Sequence, residues 1–174
     1  FVAEFVRATG RLKLGPALDW SCDVGCLVSA QQLATVTRHV DDAIAKGARV
    51  EIGGKARPDL GPLFFEPTIL SGVVPGMTLF LEETFGPVVA VYPFSTNQQA
   101  IELANATEYG LNASIWSRDT ELALRMATRL QAGTVNINEA YAAAWGSVEG
   151  PIGGFKNSGL GRRHGAEGIL KYTE

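Results

Sequence analysis

The sequence predicts an α/β fold, a parallel sheet covered by helices, on three observations. Segments with helical apolar spacing alternate with short strand-like segments. The links between them are short, as expected where helices cross over between parallel strands. Two near-continuous apolar runs, "VVAV" (88–91) and "TVNIN" (134–138), are strand-sized and suit strands buried on both faces.

The opening "FVAEFVRATGRLKLG" reads as the amphipathic end of a helix, not as a secretory signal. Ser29 begins the next helix, "SAQQLATVTRHVDDAIAKGA", with apolar residues Leu33, Val36, Val40, Ala43 and Ile44 at helical spacing and Gly47 as its stop. Ser29 and Gln32 fit a capping box, in which each side chain satisfies the other residue's backbone N–H. "RVEIGG" is a short strand, "KARPDLGP" a turn-rich loop, and "LFFEPTIL" a strand whose Pro67 predicts an edge or a bend. After "TLFLEETFGP" comes the apolar strand "VVAVYPF".

"STNQQAIELANATEYG" is a capped helix expected to bury Ile101, Leu103 and Ala104, with Gly110 near its end, and "LNASIWS" is a strand. Asp119 or Thr120 caps "ELALRMATRLQAG", which Gly133 is expected to end in the left-handed position beyond the helix. "TVNIN" follows, then a long loop from Glu139, and "GAEGILKYTE" as a final short helix. Neither terminus reads as a natural boundary, so the expectation is a piece of a longer protein.

Bulk properties exclude several functions. A net charge of −3 with acids and bases interspersed argues against nucleic acid or an anionic membrane as the main partner. The apolar runs are far too short to span a bilayer. Cys22 and Cys26 stand in a C-x3-C spacing, and His39 and His164 are isolated, so no zinc pattern is present. Two reduced thiols of a cytoplasmic protein are expected.

The glycine-rich "GPIGGFKNSGLGRRHG" (150–165) comes close to two phosphate-binding motifs and fails both on spacing. Lys156 is followed by Asn157, where a P-loop needs Ser or Thr, and the glycines of "GLGRRHG" are one residue too far apart for a dinucleotide fingerprint. "LEETFGPVV" places Glu82, Glu83 and Phe85 just before a buried strand. On composition alone these are two solvated acids and a core phenylalanine. As a site, they are a carboxylate and an aromatic at the mouth of a sheet, where α/β proteins bind ligands.

The segments "FFEPTIL", "EETFGPVV", "AIELANATEYGLNASIWSRD", "QAGTVNIN" and "PIGGFKNSGLGRRHGAEGILKYTE", in that order, resemble the C-terminal half of the catalytic domain of NAD(P)-dependent aldehyde dehydrogenases. The resemblance runs over nearly the whole chain. Within the family, "NEAYAAAWGS" and "GLGRRHGAEGI" are most similar to bacterial succinate-semialdehyde dehydrogenases. It implies that residues 1–174 are an incomplete catalytic domain, without the dinucleotide-binding domain. The nucleophilic cysteine, general-base glutamate and oxyanion asparagine are expected upstream of Phe1, so no catalytic residue is expected here and Cys22 and Cys26 are not the nucleophile. The resemblance further implies an oxidoreductase acting on a small aldehyde with NAD or NADP, assembled as a homodimer or homotetramer.

Three residues are implied at the cofactor. Glu83 matches the glutamate that accepts from the nicotinamide ribose hydroxyls, and Phe85 the aromatic packed beside that ribose and ring. Gln32 matches a position that reaches the cofactor, although the capping box accounts for it equally well. For substrate, Tyr141 and Trp145 are implied as apolar tunnel walls and Ser147 as a hydrogen-bond partner for a distal carboxylate. Ile152 departs from the pattern, standing where many members have a second aromatic. The resemblance also casts 150–165 as a structural loop near the substrate entrance and at a subunit contact, with Arg162 and Arg163 in ion pairs. Two other readings remain: a non-catalytic α/β module that lost its nucleophile, and a relative that reduces acyl phosphates.

Overall fold

The computed structural model describes residues 1–17, 19–170 and 172–173, which divide into two compact units, Phe1–Pro93 and Phe94–Glu174. The α/β class holds, with helices and short strands alternating along the chain. Among the described residues no helix is long and apolar enough to cross a membrane.

The first unit contains helix α1 (Val2–Thr9), helix α2 (Ala30–Ala45), strand β1 (Arg49–Ile52), strand β2 (Thr68–Ser71), the one-turn helix α3 (Thr78–Leu81) and strand β3 (Val88–Val91). The strands form one sheet in the order β1-β2-β3, with β1 antiparallel and β3 parallel to β2. Helix α2 is set by local rules at both ends. Ser29 accepts from the Gln32 backbone N–H at 3.1 Å, which satisfies one donor of the first turn. At the other end Gly47 takes φ +100°, its N–H bonds to Ile44 and that of Ala48 to Ala43, a Schellman motif that only a residue tolerant of positive φ closes without strain.

Val36, Val40 and Ala43 follow at helical spacing and are fully buried against Phe65, Leu70, Val73 and Met77. Ile44, expected on this face, is instead exposed, because it lies a further 100° around the helix. Pro67 does not mark an edge. The strand begins after it, at Thr68, and is the central one of its sheet, so the missing proline donor falls outside the ladder. Nor is β3 buried on both faces: Val88 and Ala90 pack on the core while Val89 is 46% exposed. It is an outer strand here, and its alternate side chains point away from the helix layer.

Asp42 links α2 to α3. One carboxylate oxygen lies 2.7 Å from the Lys46 ammonium and the other accepts from the Thr78 N–H at 2.8 Å, capping α3 from a distant segment. The Lys46 contact, then the Thr78 N–H, hold the Asp42 carboxyl down to about 2 from its ordinary 3.8. A depressed carboxylate pKa stabilises the fold above the unfolded value, and that stability is lost as pH falls through the folded value. Acidification from 3.8 toward 2 is therefore expected to erase the stability difference between the parent and Asp42→Asn. Thermal melts that differ by a constant amount across that window would refute this.

The second unit contains helix α4 (Asn97–Asn105), strands β4 (Tyr109–Gly110) and β5 (Asn112–Ile115), helix α5 (Thr120–Ala127), strand β6 (Thr134–Ile137), the short helix α6 (Ala142–Gly146), strand β7 (Phe155–Lys156) and helix α7 (Gly165–Leu170). Strands β5 and β6 are parallel and joined through α5, a β-α-β crossover, while β4 and β7 pair antiparallel. Thr96 caps α4 and Asp119 caps α5, each accepting from the N–H three residues on.

Three expectations fail in this unit. Of the predicted core of α4, Ile101 is buried, Leu103 half-buried and Ala104 exposed, since the short helix buries only a narrow stripe. Helix α5 ends at Ala127, six residues before Gly133, because Thr128 to Leu130 continue only as turns. Strand β6 buries Asn136 alone and leaves Thr134, Val135 and Ile137 half-buried. Of the expected C-terminal helix, Lys171 and Glu174 lie outside the described residues.

Candidate functional site

The most distinctive local structure in the first unit is the segment 82–86, between α3 and β3. One stripe of α2 grips it: Gln32, Val36 and His39, spaced four and three residues apart and so stacked along one side of the helix. The Gln32 side-chain amide donates to the Thr84 carbonyl at 2.6 Å and to the Phe85 carbonyl at 3.0 Å. His39 Nδ1 lies 3.0 Å from Thr84 Oγ1, and Glu82 stands 3.3 Å from His39 Nε2 and 3.8 Å from Arg38. Gly86 lies directly over Val36, where an added Cβ would come within 2.4 Å of a valine methyl.

The capping box at Ser29 is therefore only half formed. Gln32 turns its side chain away from Ser29 to carbonyls 52 and 53 residues further on. Its amide nitrogen orients the loop rather than projecting from it.

These tethers hold an unusual backbone. Phe85 has φ +47°, a conformation costly for a residue with a bulky side chain, and the residue is 76% exposed. A strained residue persists when its surroundings over-determine it, and such residues cluster at ligand sites. Glu83 is exposed beside it, with no hydrogen bond or ion pair among the described residues. Glu82, by contrast, is spent on α2. The loop thus presents one unengaged carboxylate and one uncovered aromatic ring. A carboxylate can accept from two neighbouring hydroxyls at once, and an aromatic face can pack on a planar ring.

In the second unit, Leu111, Tyr141, Trp145, Ile152 and Leu160 form the apolar part of a cavity of about 390 Å³, with Arg162, Arg163 and His164 along its polar side. Tyr141 and Trp145 meet edge to face, 5.7 Å between ring centres, so each fixes the other's orientation. Ser147 is not a lining residue. Its hydroxyl oxygen accepts from the Gly150 N–H at 2.9 Å and its carbonyl from His164 Nδ1 at 2.7 Å, so it builds the turn behind the wall.

Several polar side chains of the glycine-rich stretch are spent on backbone carbonyls. Lys156 donates to the carbonyls of Asn105, the last residue of α4, and of Thr107, both at 2.8 Å. Among the described residues Arg162 makes no ion pair: its guanidinium donates to the Gly154 and Gly161 carbonyls and lies over the Phe155 ring. The Arg163 backbone pairs with Ile152. Lys156 is thus taken up by carbonyls near the end of α4 and Arg162 by the loop's own carbonyls and ring, while the Arg163 side chain has no such partner among the described residues.

Cys26 is exposed, and the Cys22 sulfur lies 2.5 Å from where a Cβ on Gly15 would stand; both are free thiols. Sequence reasoning passed over His39 and Thr84. The available signal was the helical spacing of His39 from Gln32 and Val36, which puts a polar residue on a buried stripe.

This order of elements, with an exposed Glu-x-Phe at the foot of a parallel strand and a glycine-rich closing loop, has clear relatives. The chain matches the aldehyde dehydrogenase family model over residues 1–174. It is 57% identical, over all 174 residues, to a Mycobacterium tuberculosis (strain ATCC 25618 / H37Rv) protein with the provisional name succinate-semialdehyde dehydrogenase (NADP(+)) 2, covering 34% of that protein. It is 43% identical to betaine aldehyde dehydrogenase of Bacillus subtilis (strain 168), covering 36% of it.

Among solved structures, the NAD+ complex of aldehyde dehydrogenase from Bacillus cereus matches with a TM-score of 0.92 at 36% identity, over 99% of this chain and 34% of that one. Succinate-semialdehyde dehydrogenase from Burkholderia pseudomallei matches at 0.90 and 39%, over 99% and 35%. The chain belongs to the aldehyde dehydrogenase family. It spans about a third of the length of these relatives, two of which are named succinate-semialdehyde dehydrogenases, one betaine aldehyde dehydrogenase and one aldehyde dehydrogenase.

Proposed function

We propose that the chain is the C-terminal portion of a catalytic domain, and that the whole protein oxidises a small aldehyde, succinic semialdehyde, to its acid with NAD(P)+. The observation that carries this reading is the 82–86 segment: a free carboxylate beside a rigidly presented aromatic ring. Glu83 accepts from the nicotinamide ribose hydroxyls, Phe85 packs beside ribose and ring, and Gln32 orients both by holding the loop. The nicotinamide, when bound, supplies the hydride acceptor.

The nucleophilic cysteine, the general-base glutamate and the oxyanion asparagine belong to other parts of the whole protein. In the second unit the apolar wall of Tyr141, Trp145 and Ile152 suits a short alkyl chain, and Arg163 beside it suits a terminal carboxylate. Ser147 supports this wall from behind. The whole protein is proposed to be a cytoplasmic homodimer or homotetramer.

The test compares the whole protein with the 174-residue chain, each given succinic semialdehyde and either NAD+ or NADP+, with reduced cofactor read by absorbance. The whole protein is expected to turn over and the chain alone is not. Turnover by the chain alone would overturn the placement of the nucleophile elsewhere. A whole protein that acts on acyl phosphates but not on free aldehyde would be the reductase, and one that folds but does neither would be the non-catalytic module.

A further inference from the structure

We infer that His39 is a positioning residue: its buried imidazole, acting through Thr84, sets the exposed carboxylate of Glu83 and the ring of Phe85. The inference rests on the reading of residues 83–85 as the ribose and nicotinamide site. His39 is fully buried, on the same stripe of α2 as the core residues Val36, Val40 and Ala43. An imidazole there loses its hydration and is retained at a cost unless its nitrogens are used. Nδ1 is used, 3.0 Å from the Thr84 hydroxyl. Nε2 has Glu82 Oε2 at 3.3 Å, a contact that falls short of hydrogen-bond geometry, so Nε2 is buried with a carboxylate beside it and no hydrogen-bond partner among the described residues.

The two tautomers are not equivalent in this setting. With the proton on Nε2, the N–H dipole faces the Glu82 carboxylate and Nδ1 accepts from the Thr84 hydroxyl. The opposite tautomer would turn a nitrogen lone pair toward that carboxylate. The Glu82 carboxylate therefore favours the first arrangement, in which Thr84 is the donor. Thr84 is half-buried between two exposed neighbours, Glu83 and Phe85. Pinning its side chain inward leaves the residues on either side directed outward. Gln32 restrains the same segment through its backbone, but His39 is the group that selects which side chain faces in.

A merely structural histidine would change stability and leave ligand affinity alone, which is what the test separates. In the whole protein, the dissociation constants of NAD+ and NADP+ are measured by calorimetry for Thr84→Val, Thr84→Ser, His39→Asn, the double variant His39→Asn/Thr84→Val, and Glu83→Gln. Loss of the hydroxyl in Thr84→Val is expected to weaken the cofactor roughly fivefold, with Thr84→Ser restoring it to within roughly twofold. His39→Asn is expected to weaken it as well, and the double variant no more than the weaker single one, because both remove one coupled contact.

If Glu83→Gln weakens binding while Thr84→Val and His39→Asn bind like the parent, the positioning role is wrong and the ribose reading stands. If Glu83→Gln has no effect, the ribose reading fails and takes this inference with it. Should His39→Asn not fold, the Val and Ser variants of Thr84 decide the question alone.

Discussion

Gly133→Ala is expected to destabilise the second unit by on the order of 3 kcal/mol or more, among the largest effects of any single methyl in the chain. The cause is space, not backbone strain. An added Cβ would stand 1.6 Å from the Gly153 carbonyl oxygen, where real Cβ contacts stay beyond 3.0 Å. The obstructing atom belongs to a backbone that cannot rotate aside. It is also held in place: Gly133 donates to Gly110, whose own N–H is taken by Ser158, and a Cβ on Gly110 would meet Gln131 at 2.2 Å. Three chain segments thus pack backbone to backbone at Gly110, Gly133 and Gly153, and none of them can recede alone. Gly146→Ala serves as the control, because nothing lies within 4 Å of its Cβ and it sits in helix α6. It is expected to be neutral or to stabilise by about 0.5 kcal/mol. Urea unfolding that ranks the two variants equally would show that the glycine contact is not rigid.

Glu83→Ala in the whole protein is expected to raise the dissociation constant of the nicotinamide cofactor by roughly 10- to 100-fold, the range for losing a hydrogen bond to a charged group. Stability should stay within about 0.5 kcal/mol of the parent, because the exposed side chain has no partner among the described residues. That combination is diagnostic. Glu82→Ala should behave in the opposite sense, disturbing the loop through Arg38 and His39 rather than removing a ligand contact. Calorimetric titration with NAD+ and with NADP+, beside thermal melts, reads both quantities. Unchanged affinity in Glu83→Ala would sink the assignment of that carboxylate, whatever the whole protein's activity.

Much of the local structure was legible from residue chemistry. The caps at Ser29 and Asp119 and the stop at Gly47 form where their side chains and φ tolerance predict, since each involves partners within five residues. The parallel pairing of β5 and β6 around α5 follows from the strand–helix–strand order. Misreadings arose where one residue type has two uses. Gly133 reads as a helix terminator because glycine commonly is one, but its use is to let another backbone approach. Pro67 reads as an edge marker, although a proline just outside a strand removes nothing from the ladder. Gln32 reads as half of a capping box, and its amide goes to a different segment.

The sequence by itself determined the α/β class, most element positions and the residues through which the chain resembles its family, because periodicity, caps and turns act over a few residues. The tertiary structure alone decided what those residues do. Glu82 and Glu83 are adjacent and chemically identical, yet one is drawn to Arg38 and His39 and the other is left free. That division depends on α2 meeting a segment some 45 to 53 residues away, through His39, Gln32 and the space above Val36 that Gly86 leaves open. Local propensity carries no information about which helix face a distant loop will meet. Only the packing that buries Val36, Val40 and Ala43 sets it.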